Sequence, residues 1–220
     1  ADALVAAYEA GGGTVSANLA HEDNRADYRA ELGNLASTGT ETLVILAYAN
    51  SSGQTILRQA LESGNFTTFV GGDGMVGDDL FTGIDASLVE GMIATRAGAF
   101  EGESASIFAT LSEEAGLNPS DVYAPQAYDA AFLLALAIEQ NGSTEREGLS
   151  EALRAVASAP GEPILPGEWE KAKELIAAGE DINYIGAGGE LDFDEAGDVD
   201  GIIVELTVEG GTFVEVGVIE

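Results

Sequence analysis

The chain has 220 residues, of which 45% are hydrophobic, enough to bury a core and to exclude a disordered chain. Its 39 Asp and Glu stand against 8 Lys and Arg, a formal net charge of −31 that repels phosphate backbones and anionic membranes and so argues against a nucleic-acid binder. With no cysteine and a single histidine, the chain has no thiol nucleophile, no disulfide and no cysteine or two-histidine metal site.

The elements are expected in the following order. "ADALVAAYEAGGG" opens as a helix with Leu4, Val5 and Tyr8 on one stripe and glycines as its stop. A strand is expected at 14–20 ("TVSANLA"), then the polar run "HEDNRADY", where His21 reads as a solvated loop residue. A helix around 26–37 leads to "TLVILAY" (42–48), a continuous apolar run that reads as a strand buried on both faces, the signature of a parallel sheet. "SGQTILRQALESG" is a helix with Ile56, Leu57 and Leu61 inward and Gly64 at its C-terminal stop, and Ser51 is the expected N-cap before it. The short strand "TTFV" follows. Helix and strand thus alternate as in doubly wound α/β architecture.

Near residue 90 the pattern changes. "VEGMIATRAGAF" (89–100) is a strand running into an extended passage, and helices follow at 103–116, 125–140, 144–158 and 167–178. Thr144 and Glu147 have capping-box spacing for the third of these. The chain finishes in a β-hairpin over 201–219 that turns on Gly210 and Gly211. Residues 98–199 hold no apolar run comparable with "TLVILAY", so their helices are expected without a sheet of their own.

Within "TTFVGGDGMVG" (67–77), Gly72, Gly74 and Gly77 spell G-x-G-x-x-G, but 29 glycines make such spacing common by chance. A dinucleotide fingerprint needs its glycines to open a helix that faces a pyrophosphate. Here the continuation is "DDLFTGIDASLVEG", and Asp73 in the middle of the motif would repel a phosphate. A carboxylate just past the end of a parallel strand instead suits capture of a cation, where open α/β sheets keep their ligand crevices. An ordinary Asx-turn is the competing reading of Asp73. At the neighbouring strand end, "AYANSSGQ" places Tyr48, Ala49, Asn50 and Ser51, which supply aromatic, backbone and small polar groups for a modest ligand.

The passages "AYANSSGQTILRQALESG", "TTFVGGDGM", "LVEGMIAT", "VYAPQAYDAAFLLALAIE" and "LDFDEAGDVDG" before a hairpin, in that order, resemble the leucine/isoleucine/valine-type substrate-binding proteins of ABC transporters. Those are two-lobed periplasmic binding proteins of the type I fold, and the match is to the C-terminal part of their pattern. The resemblance implies an α/β chain: one doubly wound parallel-sheet lobe from 1–97 and 200–220, and the helical part of a second lobe from 98–199 with its sheet missing. It implies that Asp73 binds a ligand's ammonium group, that Tyr48 to Ser51 line a cleft between the lobes, and that Tyr123 closes over the ligand. It implies no catalytic residue, metal or cofactor, a periplasmic location without direct membrane insertion, and an ABC transporter permease as partner. The ligand would be an amino acid or amino-acid-like small molecule. The family's first-lobe sheet and the strand before the opening helix have no counterpart here, so a truncated form lacking an N-terminal portion is expected.

"LDFDEAGDVDG" is rich in Asp but misses the EF-hand pattern at Ala196, and the resemblance makes it a turn in which Gly197 takes unusual backbone angles. Two rival readings remain open. One is an α/β hydrolytic enzyme using Asp73 with Asp78 or Asp79; the other is a sensory receptor ligand-binding domain.

Overall fold

A computed structural model of the chain describes residues 1–98, 100–121 and 123–219. Expectations that touch Ala99, Val122 and Glu220 lie outside the described residues at those positions. The chain divides into two compact units, Ala1–Arg96 with Ile203–Glu220, and Ala97–Ile202.

The first unit holds helices α1 (Asp2–Ala10), α2 (Arg29–Ala36) and α3 (Gln54–Ser63), with strands β1 (Thr42–Ile45), β2 (Thr68–Gly71) and β3 (Ile93–Ala97). Strands β7 (Ile203–Glu209) and β8 (Thr212–Ile219) complete a five-stranded sheet in the order β1-β2-β3-β7-β8. β1, β2 and β3 run parallel, and Ile45 pairs with Gly71 at their C-terminal ends. The closing hairpin is antiparallel, as its alternation predicts, with an irregularity at Glu205/Leu206.

The period-2 pattern decides the packing. Leu43, Ile45, Phe69 and Val208 pack in one core with Leu57 and Ala60 of α3 and Leu32 of α2, and Ala94, Val204 and Leu206 are buried as well. Fully burying such a leucine contributes about 2 kcal/mol. α3 stops where Gly64 enters the left-handed region at φ 66°, as its sequence predicts.

Several expectations are corrected here. β1 is not buried on both faces: Val44 and Leu46 remain 45% and 46% exposed, because the helices that bury residues in this unit lie against the other face. α1 forms but buries none of its residues, Leu4 and Tyr8 included. Residues 14–20 form no strand: an isolated segment has no partner for its amides, and among the described residues none pairs with it.

The second unit holds α4 (Glu103–Glu114), α5 (Ala124–Asn141), α6 (Leu149–Ala157), β4 (Glu162–Ile164), α7 (Trp169–Ala178), β5 (Ile182–Gly186) and β6 (Gly189–Glu190). Its core gathers Leu133, Leu136, Val156, Ile164 and Tyr184. The three strands form a sheet of their own, β4 parallel and β6 antiparallel to β5, where helices alone were expected. They escape sequence reading because they are short and interrupted by Pro163, Asn183 and glycines rather than built as one apolar run. The Thr144–Glu147 capping box does not form either. Asn141 Nδ2 donates to the Ser143 and Glu147 carbonyls, folding that stretch into a loop, and α6 starts only after Gly148 at φ 77°.

In "LDFDEAGDVDG", Asp194 Oδ1 accepts from the amides of Gly197 and Asp198 at 2.8 and 2.9 Å, with Gly197 at φ 96°, so the stretch is a self-capped turn. Those backbone amides, Asp198 foremost, together with the charge of Arg154, hold the Asp194 carboxyl below its usual range.

Candidate functional site

Because β1 and β2 are parallel neighbours, the chain leaves both at the same sheet edge. After Ile45 come Leu46, Ala47 and Tyr48; after its partner Gly71 come Gly72 and Asp73. Tyr48 is 66% exposed there, Asn50 is exposed, Ser51 is half-buried and Ala49 is buried. Residues Ala49–Gly53 make a wide helical turn in which the amides of Ser51 and Gly53 both donate to the Tyr48 carbonyl, at 3.1 and 2.9 Å. Ser51 breaks helical geometry, and α3 begins behind Gly53 with no side-chain cap, so Ser51 is not the expected N-cap. Its hydroxyl donates to Asn24 Oδ1 instead, at 3.2 Å.

Asp73 begins a single 3₁₀ turn, Asp73–Met75, and is exposed. Its Oδ1 accepts from the adjacent Gly74 amide at 2.8 Å, whereas the Met75 amide, which an Asx-turn would engage, donates to the Gly72 carbonyl at 3.0 Å, so the bond is local but is not an Asx-turn. The glycines serve close approach. A Cβ on Gly74 would lie 2.6 Å from the Ala47 carbonyl oxygen and 3.1 Å from Tyr48 Cδ1. One on Gly53 would meet Met75 Sδ at 2.6 Å, and one on Gly71 would meet Met75 Cβ at 2.8 Å. Buried Met75 thus pins the two rim loops together, and Gly53, Gly71 and Gly74 exist to let them touch. The motif opens onto short 3₁₀ turns, Asp73–Met75 and Asp78–Phe81, so no helix terminus is offered to a phosphate.

The sequence-predicted residues of the first unit are therefore brought together: Tyr48, Ala49, Asn50 and Ser51 on one loop, Asp73 on the adjoining one. Tyr123 belongs to the second unit, where it precedes α5 with φ 64°, a left-handed conformation that a bulky residue seldom takes, and is 41% exposed. Asp79 is exposed and its carbonyl accepts from Gln54 Nε2; the side chain of Asp78 lies outside the described residues.

Two polar clusters were not foreseen. His21 is no solvated loop residue: its Nε2 lies 3.0 Å from Ser52 Oγ, and its ring stands edge-on to buried Tyr28. Ser52 Oγ also donates to Asp23 Oδ1 at 3.0 Å. In the second unit, buried Asp129 accepts from the Tyr184 hydroxyl at 2.7 Å and from the amides of Ala187 and Gly188 at 2.8 and 2.7 Å, tying α5 to the β5–β6 turn. Both sets join residues dozens of positions apart in composition-neutral stretches, and only complementarity between "HEDN" and "SS" hints at the first.

A model of the periplasmic binding proteins matches residues 1–183. The chain belongs to the periplasmic binding protein family. It is 32% identical over 130 residues to the leucine-, isoleucine-, valine-, threonine- and alanine-binding protein of Pseudomonas aeruginosa, covering 59% of this chain and 34% of that protein. It is 34% identical over 102 residues to BasB, a chemotactic signal transduction system substrate-binding protein of Halobacterium salinarum, covering 46% of this chain and 24% of that one. Among solved structures, the leucine-binding protein LivK of Thermotoga maritima matches with TM-score 0.63 and 26% identity, over 89% of this chain and 49% of that one. A solute-binding protein from R. palustris in complex with 4-hydroxybenzoate matches with TM-score 0.67 over 100% of this chain and 56% of the other; at 17% identity it bears on the fold alone. The chain spans about a third or less of the curated relatives and about half of these structures. The α/β fold is that of type I periplasmic binding proteins, and the family and these neighbours are substrate-binding proteins rather than enzymes. The hydrolase reading of Asp73 with Asp78 or Asp79 falls with that.

Proposed function

We propose that this chain is part of a solute-binding component of an ABC transporter, working in the periplasm, and that its rim grips an amino acid by the ammonium group. The single observation behind this is the packing of the Asp73 turn onto the Tyr48 loop at the C-terminal ends of two parallel strands. Asp73 supplies the anion, Tyr48 the aromatic surface, and Asn50 and Ser51 polar contacts. Tyr123 is assigned on family resemblance alone.

Several structural neighbours bind benzoates and others branched-chain amino acids. The charge at the rim favours the second class. A benzoate brings only an anion, which Asp73 and a chain of net charge −31 repel, whereas an amino acid brings an ammonium to pair with that carboxylate. In this reading residues 1–97 and 200–220 form one lobe, 98–199 contribute to the other, and an N-terminal portion outside this chain holds the ligand's carboxylate. The two lobes close on the ligand and the closed form docks on a permease.

Calorimetry with L-leucine, L-isoleucine, L-valine and benzoate tests the reading. Binding by this chain alone is expected to be weak, about 1 mM or weaker, for the amino acids and undetectable for benzoate. Benzoate binding as strong as leucine binding overturns the ammonium assignment. Micromolar binding contradicts the need for a second wall.

The chemotactic relative from H. salinarum favours a second reading, in which the loaded protein signals to a taxis receptor. Loss of taxis with intact uptake in a deletion strain would select it.

A further inference from the structure

Loop 48–52 is also held by residues 21–24. Asn24 Oδ1 accepts from Ser51 Oγ, and Asp23 Oδ1 accepts from Ser52 Oγ, whose oxygen lies 3.0 Å from His21 Nε2. Ser52 is fully buried, and within the fold its hydroxyl meets both Asp23 and His21. The clamp is itself anchored. Tyr28 donates its hydroxyl to the Glu22 carbonyl at 2.8 Å and accepts from the Arg25 amide at 2.9 Å. Gln59 of α3 accepts from the Tyr28 amide at 2.7 Å and donates to the Ala26 carbonyl at 2.9 Å. Asn24 sits at φ 57°, a conformation asparagine tolerates better than most residues, and this turn aims its amide oxygen at Ser51.

We infer that His21, Asp23 and Asn24 are positioning residues: they set the shape of loop 48–52 and so the geometry and polarity with which Tyr48, Asn50 and Ser51 meet a ligand. This rests on the rim being the binding site. The polarity follows from hydroxyl chemistry. A serine has one proton to donate, and Asn24 Oδ1 takes that of Ser51. Ser51 then offers a ligand only lone pairs, which suit an ammonium, as Asp73 does.

The test compares the 220-residue chain with N24G, which keeps the left-handed turn and removes the acceptor, and D23A, with N24D and D23N as variants that retain an acceptor oxygen. Two quantities are read by heteronuclear NMR: hydrogen exchange of the Ser51 and Gly53 amides without ligand, and the affinity for L-leucine from shifts at Tyr48 and Asp73. N24G and D23A are expected to speed that exchange about tenfold while amides of Leu57 and Phe69 keep their protection, and to weaken leucine about fivefold or more. N24D and D23N are expected to stay near the unsubstituted chain in both. Unchanged exchange in N24G and D23A, or a loosened loop that still binds leucine as before, overturns the inference. If the unsubstituted chain shows no response to leucine at all, the binding-site reading fails, and the exchange arm by itself upholds or overturns the clamp.

Discussion

The ring of Tyr48 lies against the Cα of Gly74, so closely that a Cβ on Gly74 would stand 3.1 Å from Tyr48 Cδ1 and 2.6 Å from the Ala47 carbonyl oxygen. The carbonyl cannot retreat without disturbing β1. Gly74→Ala is therefore expected to cost about 1–3 kcal/mol and to displace the Tyr48 ring. Gly77→Ala is the control, since its Cβ would meet only Ala49 Cβ at an ordinary 3.8 Å. Thermal unfolding and the Tyr48 ring resonances check both; equal behaviour of the two variants contradicts the packing argument.

Asp129 carries the second unit's buried polar network. Asp129→Ala would strand the Tyr184 hydroxyl and the Ala187 and Gly188 amides without their acceptor. A loss of about 3 kcal/mol or more is expected in urea unfolding, against about 1 kcal/mol for Tyr184→Phe, which leaves the two amide bonds intact. A mild Asp129→Ala phenotype contradicts the assignment.

The same network sets an alkaline limit. Burial first, and then the Asp129 carboxylate, push the Tyr184 hydroxyl well above the ordinary 10.0 of a tyrosine. A raised folded-state value means that its contribution is fully present below that ordinary value and is lost as pH climbs towards the raised one. Ultraviolet titration of Tyr184→Phe should overlay that of the unsubstituted chain until the protein unfolds. A curve smaller by one tyrosine near pH 10 would show Tyr184 ionising normally.

His21 has a defined tautomer. Asp23 accepts the Ser52 hydroxyl proton, so Ser52 Oγ is left to accept from His21, and the proton sits on Nε2. As the single histidine of the chain, its ring nitrogens are read by NMR without assignment. A neutral ring protonated on Nδ1 contradicts this.

How far the sequence could be read depended on the range over which each feature is encoded. β1 forms but ends at Ile45 rather than Tyr48, while α3 with its Gly64 stop, β2 and the closing hairpin are written in local periodicity and turn chemistry and form where expected. So does the convergence of the Tyr48 and Asp73 loops, because two parallel neighbours must end at one edge. Residues 14–20 failed as a strand because pairing depends on a neighbour, which no local pattern guarantees. β4 to β6 were too short for a periodic signal, and the His21 and Asp129 clusters depend on contacts 29–31 and 55–59 positions apart. Of the glycines that spell G-x-G-x-x-G, Gly74 is a spacer against the Ala47 carbonyl and the Tyr48 ring, while the glycines packed on Met75 are Gly53 and Gly71.

The role of Asp73 is tested most directly by titrating the chain and its Asp73→Asn variant with L-leucine and with isocaproate, the same skeleton without an amine, under heteronuclear NMR. Asparagine keeps an oxygen for the Gly74 amide and removes only the charge. The account predicts weak, saturable shifts confined to residues 48–51 and 73–74 with leucine, lost in the variant and absent with isocaproate. A variant that titrates like the unsubstituted chain, or isocaproate binding as well as leucine, would contradict it.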